Sequence, residues 1–527
     1  MIAGSEFGWA ARQHRERVAV VFDGRAHSYA AIDRRANRLA QALRGLGLAA
    51  GERVAVLLRN CVESVETTIG IAKAGLCIVP LNARNAAPEQ GAILADCGAR
   101  ALIAGAEFRE VVEAIGALPQ GALQVLGVGW PHRGAPDYEA ALARASEAEP
   151  RVEVAESGMR WLGYTSGTTG RPKGVVMSHA QFHARLRNFF FALEYELGVS
   201  QSMVHVGPLT HAAANYLVPY YLRGARNIIL PRFDEELLQA TIARERVTHL
   251  LLVPTMATRF VDAIRPGRHD LSSVSRINYG TAPMSLETLR RGIALFGPVF
   301  RGHYGLTEAP QPLTVLYPHE HRPDGTAAEQ ARLASCGRPV WGVNIVVRGP
   351  DGAEVPAGSI GEITVEATGA ADTRVWNNPE LEAQTRRGGF IHTGDLGQFD
   401  ADGYLTIVGR NKDMIITGGF NVYAREVEDA LHRHPAVLES AVFGIPDREW
   451  GESVCAAVVL RAGAVAAPQA LIEHCRSLIA GYKKPRHLEI FDDMPRNNAG
   501  KIDKNVLRER FLAARGSGAP GGVLASY

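Results

Sequence analysis

Residues 164–174 read "YTSGTTGRPKG", a run of hydroxyl side chains, glycines and two cations set between apolar segments. Glycine reaches positive φ and lets a ligand approach the backbone closely, so Gly167, Gly170 and Gly174 allow amide groups to face an anion. Thr165, Ser166, Thr168 and Thr169 add hydroxyl donors, and Lys173 adds a mobile positive charge. This is the chemistry of a polyphosphate cradle, but not of a Walker A loop, G-x-x-x-x-G-K-[ST]. Counting from Gly167, Pro172 stands where the second glycine belongs, and Gly174 where Ser or Thr would meet magnesium. The continuation "GVVMSHAQF" predicts a strand and then a helix capped near Ser178. The loop is therefore expected to join two strands instead of opening a helix.

Working outward, apolar runs alternate with amphipathic ones. A helix is expected over 29–50, a strand at 53–60, a helix near 62–74, a strand at 77–82, a helix near 88–96 and a strand at 101–105. The rhythm recurs at 226–262 and 286–304 and implies parallel sheets covered by helices. From about 340 short strands are separated by Gly, Asp and Pro turns. After Lys412 a compact α+β segment of ordinary domain size follows, with helices at 424–435 and 468–480. The expected organisation is a large N-terminal region over 1–411, a small domain over 412–515 and a tail over 516–527.

The chain of 527 residues is too long for a single core. Its 57 Lys and Arg balance 55 Asp and Glu, and no aromatic–basic stripe marks a nucleic-acid surface. The six cysteines, Cys61, Cys77, Cys97, Cys336, Cys455 and Cys475, form no C-x-x-C pair and suit free thiols in a reducing compartment. The charged start "MIAGSEFGWAARQHRERVAVVF" does not read as a signal peptide, and no apolar window is long enough to span a bilayer. A cytoplasmic protein without integral membrane association is expected. In "HAQFH", His179 and His183 stand at i, i+4, but Gln181 replaces the Glu of a zinc motif and no third ligand is evident.

Further motifs follow the loop in order: "PLTH" at 208–211, "NYGTAPMS" at 278–285, "YGLTE" at 304–308, "HTGDLG" at 392–397, "GRNKDMIITGGFNVYAREVE" at 409–428 and "PRNNAGKIDK" at 495–504. Together they resemble the adenylate-forming (AMP-binding) superfamily of acyl- and aryl-CoA synthetases, peptide-synthetase adenylation domains and beetle luciferases. The resemblance runs from about residue 10 to 512. It implies an α/β fold in which a large N-terminal region of α/β subdomains and a β-rich subdomain is joined to a small mobile α+β C-terminal domain.

The resemblance also implies roles. Thr165, Ser166, Gly167, Thr168, Thr169 and Lys173 would hold phosphate, Gly280, Thr281 and Ala282 would lie beside adenine, and Tyr304 would offer a stacking face. Thr281 stands where a second glycine is common in the family. Thr307 would meet the α-phosphate, and Glu308 would give Mg²⁺ a hard oxygen. Asp395 and Arg410 would bind ribose, Lys412 would be the hinge, and Gly418 and Gly419 would line the pantetheine tunnel. Lys501 would bridge the acyl carboxylate and the nucleotide, a task suited to a point charge on a flexible stem. His211, Ala212, Asn215, Tyr279 and Gly305 would line the acyl pocket, with His211 beside the reacting carboxylate.

No acid follows "PLTH" to pair an amino-acid ammonium, and no arginine appears in the segments that can be placed there, so an apolar monocarboxylic acid is favoured, whether aryl, medium-chain or branched. The implied activity is ATP-dependent acyl-CoA ligation, with Mg²⁺ accompanying ATP and CoA as acceptor. Loading of a separate carrier protein, a non-catalytic nucleotide- or acyl-binding relative, a phosphotransferase and a luciferase-like oxidase remain as alternatives, and a homodimer stays open.

Overall fold

Val54, Ala55, Val56 and Leu57 are all buried, and the strand they form, Arg53–Leu57, runs parallel to Cys77–Pro80 on one side and Ala101–Gly105 on the other. A strand buried on both faces reads as a continuous apolar run, which is why this part of the sequence shows no alternation. The computed structural model describes residues 1–516 except 116, 117, 120, 122, 134, 135, 166–172, 194, 195, 211, 212, 283, 311 and 499. The expected helices and strands over 29–105 are present as Tyr29–Gly45, Arg53–Leu57, Val62–Lys73, Cys77–Pro80, Ala87–Cys97 and Ala101–Gly105.

The described chain forms two compact units. The first comprises Met1–Met284, Arg291–Ile345 and Val365–His392; the second comprises Ser285–Arg290, Val346–Thr364 and the chain from Thr393 onward. Among the described residues the first unit holds a seven-stranded and a nine-stranded sheet. The seven-stranded sheet ends in Cys77–Pro80, then Met159–Thr165, Lys173–Ser178 and Arg374–Val375, the last three paired antiparallel. The nine-stranded sheet has a parallel centre in which His249–Leu252, Arg276–Tyr279 and Phe300–Tyr304 are neighbours. The expected parallel pairing holds in the centres of both sheets, and antiparallel strands are added at their edges.

In the second unit, Val437–Asp447 and Gly451–Leu460 form an antiparallel pair extended by Met414–Thr417 and Phe420–Tyr423 and, in parallel, by His487–Phe491. Successive side chains of a strand face opposite sides. Val442, Val454 and Val458 accordingly pack with Val427, Leu431 and Leu471 from helices Ala424–His432 and Pro468–Leu478. Phe443 and Cys455 face the other way, onto Leu507 and Phe511 of a helix over Lys504–Gly516 that continues from the "PRNNAGKIDK" motif. The tail expected over 516–527 lies outside the described residues except for Gly516, which ends that helix. No described helix is long and apolar enough to cross a membrane.

The first unit buries neutral histidines. His205 meets the Asn227 side chain at 2.8 Å, His321 meets the Tyr279 hydroxyl at 2.8 Å, and His303 meets the Tyr216 hydroxyl at 2.6 Å. Burial lowers His205 and His321 to about 4 and His303 to about 3. The unfolded chain binds protons at these groups below its ordinary histidine range near 6.5, whereas the folded chain does not until about pH 4. Stability should therefore be flat above that range and fall as pH drops through it, with a slope of up to about 1.4 kcal/mol per pH unit for each histidine. Urea melts between pH 7 and 4 measure this, and a stability unchanged across the window would contradict it.

Candidate active site

Strands Met159–Thr165 and Lys173–Ser178 pair with Thr165 opposite Lys173 and Tyr164 opposite Gly174. The loop thus joins two strands, as its sequence implies, and the ladder fixes the backbone of Lys173. Ser166, Gly167, Thr168 and Thr169, with the rest of 166–172, lie outside the described residues, as do His211 and Ala212. Helix His179–Ala192 begins at Ser178, whose hydroxyl accepts from the Gln181 N–H while the Gln181 side chain accepts from the Ser178 N–H at 2.6 Å. Gln181 is therefore the partner in a capping box, which accounts for its place in "HAQFH". His179 is buried, His183 lies 4.0 Å from Glu6, and no group of three metal-binding side chains occurs among the described residues.

The Lys173 Nζ lies 3.0 Å from Glu308 Oε1, and the two side chains are only 16% and 18% exposed. That shielding sets the pair apart from exposed ion pairs, whose worth is typically under about 1 kcal/mol. Glu308 follows strand Phe300–Tyr304, and a turn closed by the Leu306 N–H on the Ala309 carbonyl at 3.0 Å carries Thr307 and Glu308 off the sheet. Tyr304 is buried at the strand end, paired with Thr314. Lys173 belongs to one sheet and Tyr304 to the other, so the ion pair bridges the two.

Gly280–Ala282 follow the neighbouring parallel strand Arg276–Tyr279, which places them beside the "YGLTE" turn at the carboxyl ends of adjacent strands. Parallel sheets bind ligands at such ends. A Cβ on Gly280 would stand 2.5 Å from His303 Nδ1 and 2.6 Å from the His303 carbonyl oxygen, so the glycine is required by the histidine packed on it. Thr281 has φ of 69°, a left-handed conformation that a β-branched residue adopts only under strain. Tyr279 is buried with its hydroxyl on His321; Asn215, on helix Ala214–Leu222, and Gly305 are half-buried.

The other expected site residues belong to the second unit. Asp395 stands opposite Arg410 on paired strands and takes its Nε at 3.0 Å, with Asp395 buried and Arg410 half-exposed. Lys412 occupies a short turn, Asn411–Asp413, between strands Leu405–Arg410 and Met414–Thr417. Gly418 and Gly419, at φ of 57° and 81°, form a two-residue hairpin turn of the kind that favours glycine. Lys501 is exposed in a turn where its N–H donates to the Asn497 side chain at 3.1 Å.

A family model described as "AMP-binding enzyme" matches residues 7–372, and one described as "AMP-binding enzyme C-terminal domain" matches residues 426–501. A feruloyl-CoA synthase of Amycolatopsis sp. is 36% identical over 95% of this chain and 97% of its own length. The fatty acid–[acyl-carrier-protein] ligase ScoC of Streptomyces coeruleorubidus is 34% identical over 94% of this chain and 93% of its own. Among solved structures, the anthranilate CoA ligase AuaEII in complex with anthranoyl-AMP superposes with a TM-score of 0.88 at 28% identity, over 98% of both chains. The chain belongs to the AMP-binding enzyme family.

The close approach at Gly280 makes a direct test. Gly280→Ala forces the His303 ring and backbone to shift, and overpacking of this kind typically costs about 1–3 kcal/mol. Chemical denaturation should show a loss in that range, together with weaker ATP binding; a variant of native stability would mean that the contact relaxes freely.

Proposed function

We propose that this chain is an ATP-dependent acid–thiol ligase that activates a carboxylic acid as its acyl-AMP and passes the acyl group to CoA. The observation that carries the reading is the shielded Lys173–Glu308 pair at the base of a hydroxyl-rich loop, in a chain of this family. A carboxylate oxygen attacks the α-phosphorus of ATP, and the bond to the bridging oxygen breaks to release pyrophosphate. The CoA thiolate then attacks the acyl carbon of the mixed anhydride, and AMP leaves. No protein nucleophile is needed, and placement does most of the work.

Lys173 and the loop hydroxyls steady the phosphates, Thr307 the α-phosphate, Tyr304 and 280–282 the adenine, and Asp395 with Arg410 the ribose. Lys501 bridges carboxylate and nucleotide in the first step, and rotation at the Lys412 turn separates the two steps. Mg²⁺ commonly takes one or two carboxylates and completes its shell with substrate phosphates and water. The single carboxylate of Glu308 beside Lys173 fits that demand, and the ion would neutralise phosphate charge there.

CoA is favoured as acceptor by the surface near the Gly418–Gly419 turn. Phe420 and Tyr482 lie 4.8 Å apart there, both exposed, and the Arg486 guanidinium stands 4.1 Å over Trp450, whose ring rests against Gly418. Aromatic faces beside cations suit a base and its phosphates. The likeness to a feruloyl-CoA synthase favours an aryl acid, within the apolar monocarboxylic class that the sequence suggests. None of the six cysteines is joined to another, which supports a cytoplasmic setting.

The test is release of pyrophosphate and AMP from ATP with a panel of aryl and medium-chain acids, with and without CoA. AMP release that depends on both acid and CoA supports the ligase. Acid-dependent pyrophosphate that CoA leaves unchanged would replace it with carrier-protein loading, the activity in the name of the relative ScoC. Lys501→Ala should slow acid-dependent pyrophosphate release by roughly 10²–10³ while ATP binding is retained; a native rate would remove the lysine from the mechanism.

A further inference from the structure

Residues Asp372–Trp376 belong to none of the motifs, yet they stitch the phosphate hairpin to the carboxylate turn. Arg374 and Val375 form a short strand antiparallel to Val175 and Val176, directly after Lys173 and Gly174. The Trp376 N–H donates to the Gly174 carbonyl at 2.8 Å, and its indole N–H donates to the Asp96 carbonyl at 3.0 Å. Asp96 in turn accepts from the Tyr164 hydroxyl at 2.5 Å, and a Cβ on Gly174 would meet the Trp376 Cβ at 2.9 Å and the Tyr164 ring at 3.2 Å. At the other end the Thr373 hydroxyl, largely buried, donates to the backbone carbonyl of Glu308, and the Asp372 carbonyl accepts from the Gln181 side chain.

The consequence is geometric. Lys173 is fixed by the ladder, and Glu308 stands on a turn that leaves the other sheet, so nothing within either sheet sets the distance between them. Thr373 provides that link: its neighbours pair with the strand of Lys173 while its hydroxyl holds the main chain of Glu308. We propose that Thr373 is a positioning residue, which fixes the Glu308 carboxylate relative to Lys173 so that the two bracket a nucleotide triphosphate and its divalent cation. The proposal rests on the ligase reading of these two side chains. It assigns Thr373 no contact with substrate; it acts through Glu308.

The experiment is ATP binding by isothermal calorimetry, in EDTA and across a Mg²⁺ titration, for the native chain, Thr373→Val and Thr373→Ser. Thr373→Val should raise the Mg²⁺ concentration for half-maximal enhancement of ATP binding by about tenfold, the effect of one lost hydrogen bond. ATP affinity in EDTA should be unchanged, and Thr373→Ser should restore the native midpoint. Thr373→Ala removes the same hydroxyl and should give the same shift if the valine variant does not fold. An unshifted midpoint in the hydroxyl-free variants overturns the proposal, and so does an equal loss of ATP binding with and without Mg²⁺, which is the mark of a merely structural contact. Serine behaving like valine overturns it too. Native protein that binds ATP with no response to Mg²⁺ would fail the ligase reading itself, and this proposal with it.

Discussion

A lysine on one sheet and a glutamate on the turn that follows a strand of another meet at 3.0 Å in a shielded position, and the arrangement of the first unit serves that meeting. An ion pair out of water is held to its geometry, because removing either partner leaves an uncompensated charge. The sheets supply the two platforms from which the partners reach each other. One ends in a hairpin whose ladder presents Lys173, and the other ends its parallel strands at Gly280 and Tyr304, where the chain turns out to Glu308. In the proposed ligase an incoming polyphosphate would compete with Glu308 for Lys173, and a divalent cation would give the displaced carboxylate a new partner.

Around this point the structure tolerates local strain and crowding. Thr281 holds a left-handed backbone where glycine would be relaxed, and Gly280 leaves no room for a methyl beside His303. Such features persist only where the surroundings over-determine them, and they gather at ligand sites. Both follow the same strand, Arg276–Tyr279, so one strand end carries the strained turn and the tight packing together.

Much of this was legible in the sequence because the information is contiguous. "YTSGTTGRPKG" states its own loop chemistry, Pro172 and Gly174 exclude the Walker A reading, and Ser178 marks a helix start that the structure contains. The alternation of buried strands and amphipathic helices gave the α/β class. What escaped depends on contacts between distant segments. Arg374–Val375 is a strand of two residues with no apolar pattern, and it exists because the hairpin accepts it. Helix Lys504–Gly516 offers mainly Leu507 and Phe511 to its core, too few apolar positions to stand out in a strongly charged run. The pairing of Asp395 with Arg410 came from strand register, which neither motif contains.

The most direct measurement is ATP affinity of the native chain and of Glu308→Gln, by calorimetry with and without Mg²⁺. If the exchange at Lys173 organises the site, the substitution frees the lysine, so ATP binds more tightly than to the native chain in EDTA and the response to Mg²⁺ is lost. A variant that keeps the native Mg²⁺ response, with unchanged affinity in EDTA, would contradict the central place given to this pair.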